Sequence, residues 1–142
     1  MEGYIMEKIL NIEEIEIEDE EYSWDSQSGY AITTDKQVIK LLIDSGQRCC
    51  ERWGYFMSED DLDSFIGSNV IDISITDTAL NTTVLNDRGV DPEDEWFEGN
   101  IMFVNINTDR GVLQFTAYNM HNGYYGHQAH VISEQLEHSE RL

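Results

Sequence analysis

Ile101-Met102-Phe103-Val104-Asn105-Ile106-Asn107 is followed by Thr108-Asp109-Arg110-Gly111 and then by Val112-Leu113-Gln114-Phe115-Thr116-Ala117-Tyr118-Asn119. Two runs rich in β-branched and aromatic residues thus flank a short polar turn that ends in glycine, the pattern of an antiparallel hairpin. A third run, residues 124–132, follows His121-Asn122-Gly123, and Asn-Gly is the strongest short hairpin signal available. Three consecutive strands joined by tight turns predict an antiparallel sheet in this part of the chain.

The same pattern extends toward the N-terminus. Val70-Ile71-Asp72-Ile73-Ser74-Ile75-Thr76 alternates strictly and predicts a strand with one buried face. Residues 30–33 and 37–43, separated by Thr34-Asp35-Lys36, predict a further hairpin. Residues 47–57 are apolar and aromatic enough for another, partly buried strand. Ser58 is placed to cap a short helix over residues 59–66, with acids in its first turn and Gly67 past its end. Residues 79–100 read as a long polar connection. Residues 1–28 read as an acidic arm or edge strand, because Glu14-Ile15-Glu16-Ile17-Glu18 alternates while its acids discourage edge pairing. Residues 29–133 form the antiparallel β domain, and 134–142 a frayed tail. The expected fold class is mainly β (α+β): an antiparallel sheet of hairpins with one short helix.

Charge is the dominant bulk property. The chain carries 29 Asp and Glu against 8 Lys and Arg, a formal net of −21 over 142 residues. A magnitude of about 2–8 suffices for the solubility of a small domain, so the excess calls for a reason. Aromatic residues at 11% separate the chain from a disordered acidic tail. The acidity disfavours direct binding to nucleic acid or to anionic lipid, since repulsion replaces phosphate attraction. No apolar run approaches the roughly 18 residues of a membrane span, and the first residues lack the features of a secretory signal. Adjacent Cys49 and Cys50 suit reduced thiols better than a mutual disulfide. Together these features point to the cytoplasm.

The chemistry-bearing residues divide into four groups. His121, His127 and His130 lie around the last turn, but a catalytic zinc needs three converging ligands, and His127 and His130 face opposite ways on a regular strand. No metal or other cofactor is expected. Cys49 and Cys50 have Arg48 and Arg52 beside them but no adjacent base, which suits structural thiols. Tyr118, Tyr124 and Tyr125, with Arg48, Arg52 and Arg110, could stack a base and meet phosphates, but ordinary cross-strand packing is the preferred reading of the tyrosines. The acids gather in three patches: Glu13, Glu14, Glu16, Glu18, Asp19 and Glu20; Glu59, Asp60 and Asp61; and Glu93, Asp94 and Glu95. Carboxylate pairs abound in so acidic a chain and single out no hydrolase. The P-loop, Gly-x-Ser-x-Gly and His-Glu-x-x-His patterns are absent.

Cys49-Cys50-Glu51, Leu62-Asp63-Ser64-Phe65-Ile66-Gly67, Thr108-Asp109-Arg110-Gly111 and Asn122-Gly123-Tyr124-Tyr125 occur in an order that resembles a family of small acidic phage or prophage proteins of unassigned function. The resemblance covers residues 33–131. It implies a viral context and a β-rich fold, and brings no catalytic residue with it. The acidic segment before Ser26 and the three histidines depart from the pattern.

The function expected from these features is non-enzymatic. The acidic patches imitate the phosphate track of a nucleic acid and block a basic host protein, such as a nuclease or defence effector, with Trp24, Trp53 or Trp96 as aromatic anchors. The alternatives are a sponge for a nucleotide immune signal, built on the tyrosines and arginines above, and a metal-dependent hydrolase built on the histidines.

Overall fold

The computed structural model describes residues 6–18, 26–45, 52–90, 99–120 and 127–142. Its strands are β1 (Glu7–Ile17), β2 (Gln27–Thr34), β3 (Val38–Asp44), β4 (Arg52–Met57) and β5 (Asn69–Thr76), then β6 (Gly99–Thr108), β7 (Gly111–Met120), β8 (Gln128–Ile132) and β9 (Glu137–Arg141). They form one antiparallel sheet in the order β4-β7-β6-β5-β1-β2-β3-β8-β9. A mainly β, antiparallel fold is what the alternating patterns imply.

The β6–β7 hairpin is the backbone of one half. Its register runs from Thr108↔Gly111 to Gly99↔Met120. Thr108 locks the turn: its Oγ1 accepts from the Arg110 N–H at 3.1 Å and donates to the Gly111 carbonyl at 2.7 Å. Gly111 sits at φ +121°, a conformation that side chains with a Cβ rarely adopt. Alternation sends Met102, Val104, Ile106, Leu113, Phe115 and Ala117 to the main core. Phe103 and Tyr118 face the other way and pack with Phe56, Leu85 and Val90. Both faces of β7 are therefore covered, and residues 113–119 are buried throughout.

The sheet turns over on itself so that its halves share one core. Ile12, Ile32, Ile39, Leu41 and Ile43 from β1–β3 join Met57, Val104 and Phe115 from the other half in a single cluster. The Tyr30 ring on β2 meets Tyr55 on β4 edge-on at 5.8 Å and Phe115 on β7 at 6.3 Å. Burial of apolar side chains between two sheet faces is the main stabilising term, at roughly 25 cal/mol per Å² of apolar surface.

Four local features differ from the sequence-based expectation. The helix over residues 59–66 is only a 3-10 turn, Leu62–Phe65, preceded by Asp61 with no side-chain cap bond. Ser58 does not cap it, because its Oγ accepts from the Gln114 backbone N–H at 2.9 Å. The short α-helix is instead α1 (Thr82–Asp87), inside the segment read as polar connection, with Asn81 capping the Val84 N–H and Gly89 past its end at φ +74°. The strand after Asn122-Gly123 does not fold back on β7. It is β8, paired with β3 on one side and β9 on the other, while β7 already has β6 and β4 at its two edges. The segment 134–142, expected to fray, carries β9 along β8, and Leu142 is buried. No described helix is long and apolar enough to cross a membrane.

Candidate acidic interface

The acidic strand β1 has two regimes. At its start, Glu7 and Lys8 pair with Val70 and Asn69 of β5 on one side, and Ile9 exchanges backbone bonds with Ser68 and Gly67. On the other side β2 accompanies it as far as Ile17. A register shift between Ile9 and Asn11 leaves Leu10 without a partner and resets the alternation. Ile9 and Ile12 consequently both enter the core. Beyond Ile12 the inner face carries Glu14 and Glu16, while Glu13, Ile15 and Ile17 line the outer face; Glu18 is exposed just past the strand. From Asn11 to Ile17 only β2 makes backbone hydrogen bonds to this strand among the described residues. Residues 7–17, anticipated as arm or edge, thus begin inside the sheet and become an edge.

Glu7 differs from every other acid in the strand. It is fully buried, and its two carboxylate oxygens accept from Gln37 Nε2 at 3.1 and 2.8 Å, with Gln135 Nε2 at 3.4 Å. Gln37 Oε1 accepts in turn from the Glu134 N–H at 2.8 Å. This network ties the β2–β3 turn and the β8–β9 turn to the base of the acidic strand. Buried charge survives only when its oxygens are hydrogen-bonded in this way.

Glu14 stands over an aromatic floor. Its Oε2 accepts from the Tyr55 hydroxyl at 2.8 Å, and Tyr30 lies directly across the β1–β2 ladder from it. Burial, followed by the hydrogen bond and the charge of Glu14, pushes the Tyr55 phenol well above its ordinary value. Tyr30 is raised by burial and then by Glu14, with Arg88 opposing.

The chain from Tyr55 to Gly67, which carries the second patch, is tied to the same strand at both ends. Tyr55 is tied to Glu14 at one end, and Gly67 donates to the Ile9 carbonyl at 2.8 Å at the other. Exposed Glu59, Asp60, Asp61 and Asp63 lie on the segment between these two ties, which also carries the 3-10 turn that touches β1. Asp19, Glu20, Glu93, Asp94, Glu95, Trp24 and Trp96 lie outside the described residues.

The basic side chains do not neutralise these acids. Seven of the eight Lys and Arg fall within the described residues, and among those residues none of their ammonium or guanidinium nitrogens comes within 4.0 Å of a carboxylate oxygen. The ion-pair contact present joins His138 Nε2 to Glu140 at 3.2 Å. The arginines turn to carbonyls and rings instead. Arg110 Nη1 donates to the Ser64 and Ile66 carbonyls at 3.1 and 3.0 Å, fastening the 3-10 turn. Arg52 reaches the Gly89 carbonyl at 3.4 Å. Arg88 donates to the Tyr55 carbonyl at 3.1 Å and to the Tyr118 hydroxyl at 3.4 Å, with its guanidinium 5.0 Å from the centre of the Phe56 ring. Tyr118 can lie flat here because its strand neighbour is Gly54, where a Cβ would collide with the phenol.

The residues of the nucleotide alternative are spread apart. Arg110 stands just before β7, and Tyr118 is seven residues beyond Gly111, about 24 Å along an extended strand. Arg52 is near Tyr118, on the neighbouring strand; Arg48, Tyr124 and Tyr125 lie outside the described residues, as do Cys49, Cys50 and His121. His127 Nδ1 bonds the Asp44 carbonyl at 2.7 Å, whereas His130 Nδ1 meets Ser139 Oγ at 2.8 Å. Among the described residues no group of three His, Cys, Asp or Glu is arranged to hold a metal ion. Trp53 is half-buried and stacks on His127 with centroids 5.3 Å apart, so it is engaged within the fold.

Sequence reasoning missed Glu7, Tyr55 and Arg88. A Glu followed by Lys8 gives no sign of burial, and the partners of Glu7 lie 30 and 128 residues away. A signal did exist for α1, whose Asn81 cap and Gly89 stop are both legible. No curated protein and no solved structure matches the chain. A family model described as a domain of unknown function, DUF7448, matches residues 2–131, and the chain belongs to that family.

Proposed function

We propose that this protein is a non-enzymatic inhibitor of the phage type, which occupies the basic nucleic-acid-binding surface of a host protein such as a nuclease or defence effector. The observation that supports this reading is the set of exposed carboxylates that no described Lys or Arg side chain meets: Glu14 and Glu16 on one face of β1, Glu13 on the other, and Glu59, Asp60 and Asp61 on the segment tied to this strand at Ile9 and Glu14. Alternate residues of a strand repeat at about 6.8 Å, whereas one DNA strand presents a phosphate for every 3.4 Å or so of helix axis, a higher linear charge density. One face of β1 alone is therefore too sparse to imitate a nucleic acid. A second acidic row, supplied on this reading by Glu59, Asp60 and Asp61, would bring the density toward that of a phosphate track.

A groove lined by Lys and Arg would be drawn to such a surface rapidly, with an affinity that falls as salt rises. The experiment is capture of partners from bacterial lysate on immobilised protein across a salt series, followed by competition with duplex DNA. The expected result is a basic nucleic-acid-binding protein that is released by salt and displaced by DNA. Capture that persists unchanged to high salt, or the lack of any basic partner, removes the proposal.

A further inference from the structure

We infer that the edge of β1 over residues 11–17, which no described strand pairs, takes up an extended segment of the partner as an added strand, and that this segment alternates basic with apolar residues. The inference rests on the acidic-interface reading and specifies how the partner is recognised. Three observations carry it.

The first is the backbone. β5 leaves β1 after Lys8, and Gly67 and Ser68 satisfy only Ile9, so residues 11–17 have β2 on one side and no hydrogen-bonded strand on the other among the described residues. An edge strand of this kind offers a row of N–H and C=O groups to an incoming chain. Seven residues span about 24 Å, longer than the common strand of five or six.

The second is the pattern of side chains. Over residues 14–17, Glu14 and Glu16 project on one face, while Ile15 and the 39%-exposed Ile17 occupy the other, with Glu13 preceding them on that second face. An added strand has the same two faces, so its best complement carries Lys or Arg beside the glutamates and an aliphatic residue beside the isoleucines.

The third is what the charge excludes. A second copy of this chain pairing edge to edge would bring glutamates against glutamates, which is unfavourable. Charges on edges commonly serve to prevent pairing altogether. Here the barrier has one sign and is unneutralised, so it rejects self-association and admits a basic strand.

The test titrates the full-length protein at low salt with an eight-residue peptide of alternating Lys and Val, about the length of the free edge. Two controls accompany it: the same peptide N-methylated at alternate residues, and a block peptide of identical composition. Calorimetry gives affinity and stoichiometry, and amide exchange reports protection along β1. Binding at one peptide per chain with new protection within residues 11–17 is expected, weakened at least tenfold by N-methylation and by the block order. The E14Q/E16Q variant should also bind more weakly. Equal affinity for all three peptides, with salt dependence retained, would overturn strand addition while leaving the acidic interface standing. Absence of binding by every peptide at low salt also overturns strand addition, and the salt-series capture from lysate then decides the acidic interface by itself.

Discussion

Replacing Glu7 by alanine removes an acid whose role is opposite to that of its neighbours in the same strand. The carboxylate is fully buried and accepts three hydrogen bonds from Gln37 and Gln135. Bonds to a charged acceptor contribute about 1.5–3 kcal/mol each, though the 3.4 Å contact lies at the weak end. Gln37 keeps its bond to the Gln135 side chain, so not every donor is stranded. The net cost of Glu7→Ala should then be about 3–4 kcal/mol, including the space left behind. For a domain of 142 residues the unfolding entropy near the melting temperature is about 0.3 kcal/mol per kelvin, so the melting temperature should fall by about 10 °C. Glu7→Gln keeps one acceptor oxygen and should lose about half as much. By contrast, Glu13→Gln with Glu16→Gln removes two exposed charges from a chain of net −21 and should change stability by less than about 0.5 kcal/mol, toward stabilisation. Thermal unfolding followed by circular dichroism distinguishes the cases. A Glu7→Ala melting temperature within about 2 °C of the parent would refute the reasoning, as would an equal loss in the Glu13/Glu16 variant.

Three further outcomes follow from the same contacts. Arg88→Ala should destabilise the protein by about 1–3 kcal/mol in denaturant unfolding, because the Tyr55 carbonyl, the Tyr118 hydroxyl and the Phe56 ring all lose their partner; Arg88→Lys should recover only part of this. Tyr55 should ionise later than an ordinary tyrosine of pKa 10.0 in an ultraviolet difference titration, and Glu14→Gln should move it back toward that value. Since the folded state holds the phenol protonated, this contribution to stability is complete below pH 10.0 and is lost as pH rises above it. Asp109 behaves in the opposite sense. The backbone and side-chain N–H groups of Asn69 hold its carboxylate below the ordinary value of 3.8, so its contribution is present above pH 3.8 and lost as pH falls through the lower folded value. Acid unfolding of Asp109→Asn should therefore depend less on pH in that range than unfolding of the parent.

Most of the sheet is legible in the sequence because hydrophobic alternation is a local signal. The β6–β7 hairpin, β5 and the β2–β3 pair all announce themselves by period and turn chemistry. What escapes is decided at a distance. Alternation marks β8 as a strand but does not name its neighbour, and β3, more than 80 residues earlier, takes the place that the Asn-Gly signal assigns to β7. β9 is Glu137-His138-Ser139-Glu140-Arg141, a polar run that pairs because β8 offers it an edge and Leu142 is anchored in the core. Ser58 looks like a helix cap, yet a backbone donor 56 residues away takes its hydroxyl. The acidic patches are visible as runs of letters, but whether they adjoin depends on the path from Tyr55 to Gly67. That path is tied at both ends to the strand carrying Glu13, Glu14 and Glu16, with Glu59, Asp60 and Asp61 between the ties. The bulge at Leu10, which decides which glutamates share a face, leaves no mark in the sequence.

The most direct test of the acidic interface measures the affinity of the captured basic partner as a function of salt, for the parent and for a variant with Glu13, Glu14 and Glu16 all changed to Gln. The logarithm of affinity should fall with the logarithm of salt concentration for the parent, and the slope should become shallower in the variant while its fold is retained. A salt-independent affinity, or identical slopes for the two proteins, would contradict the acidic-interface reading.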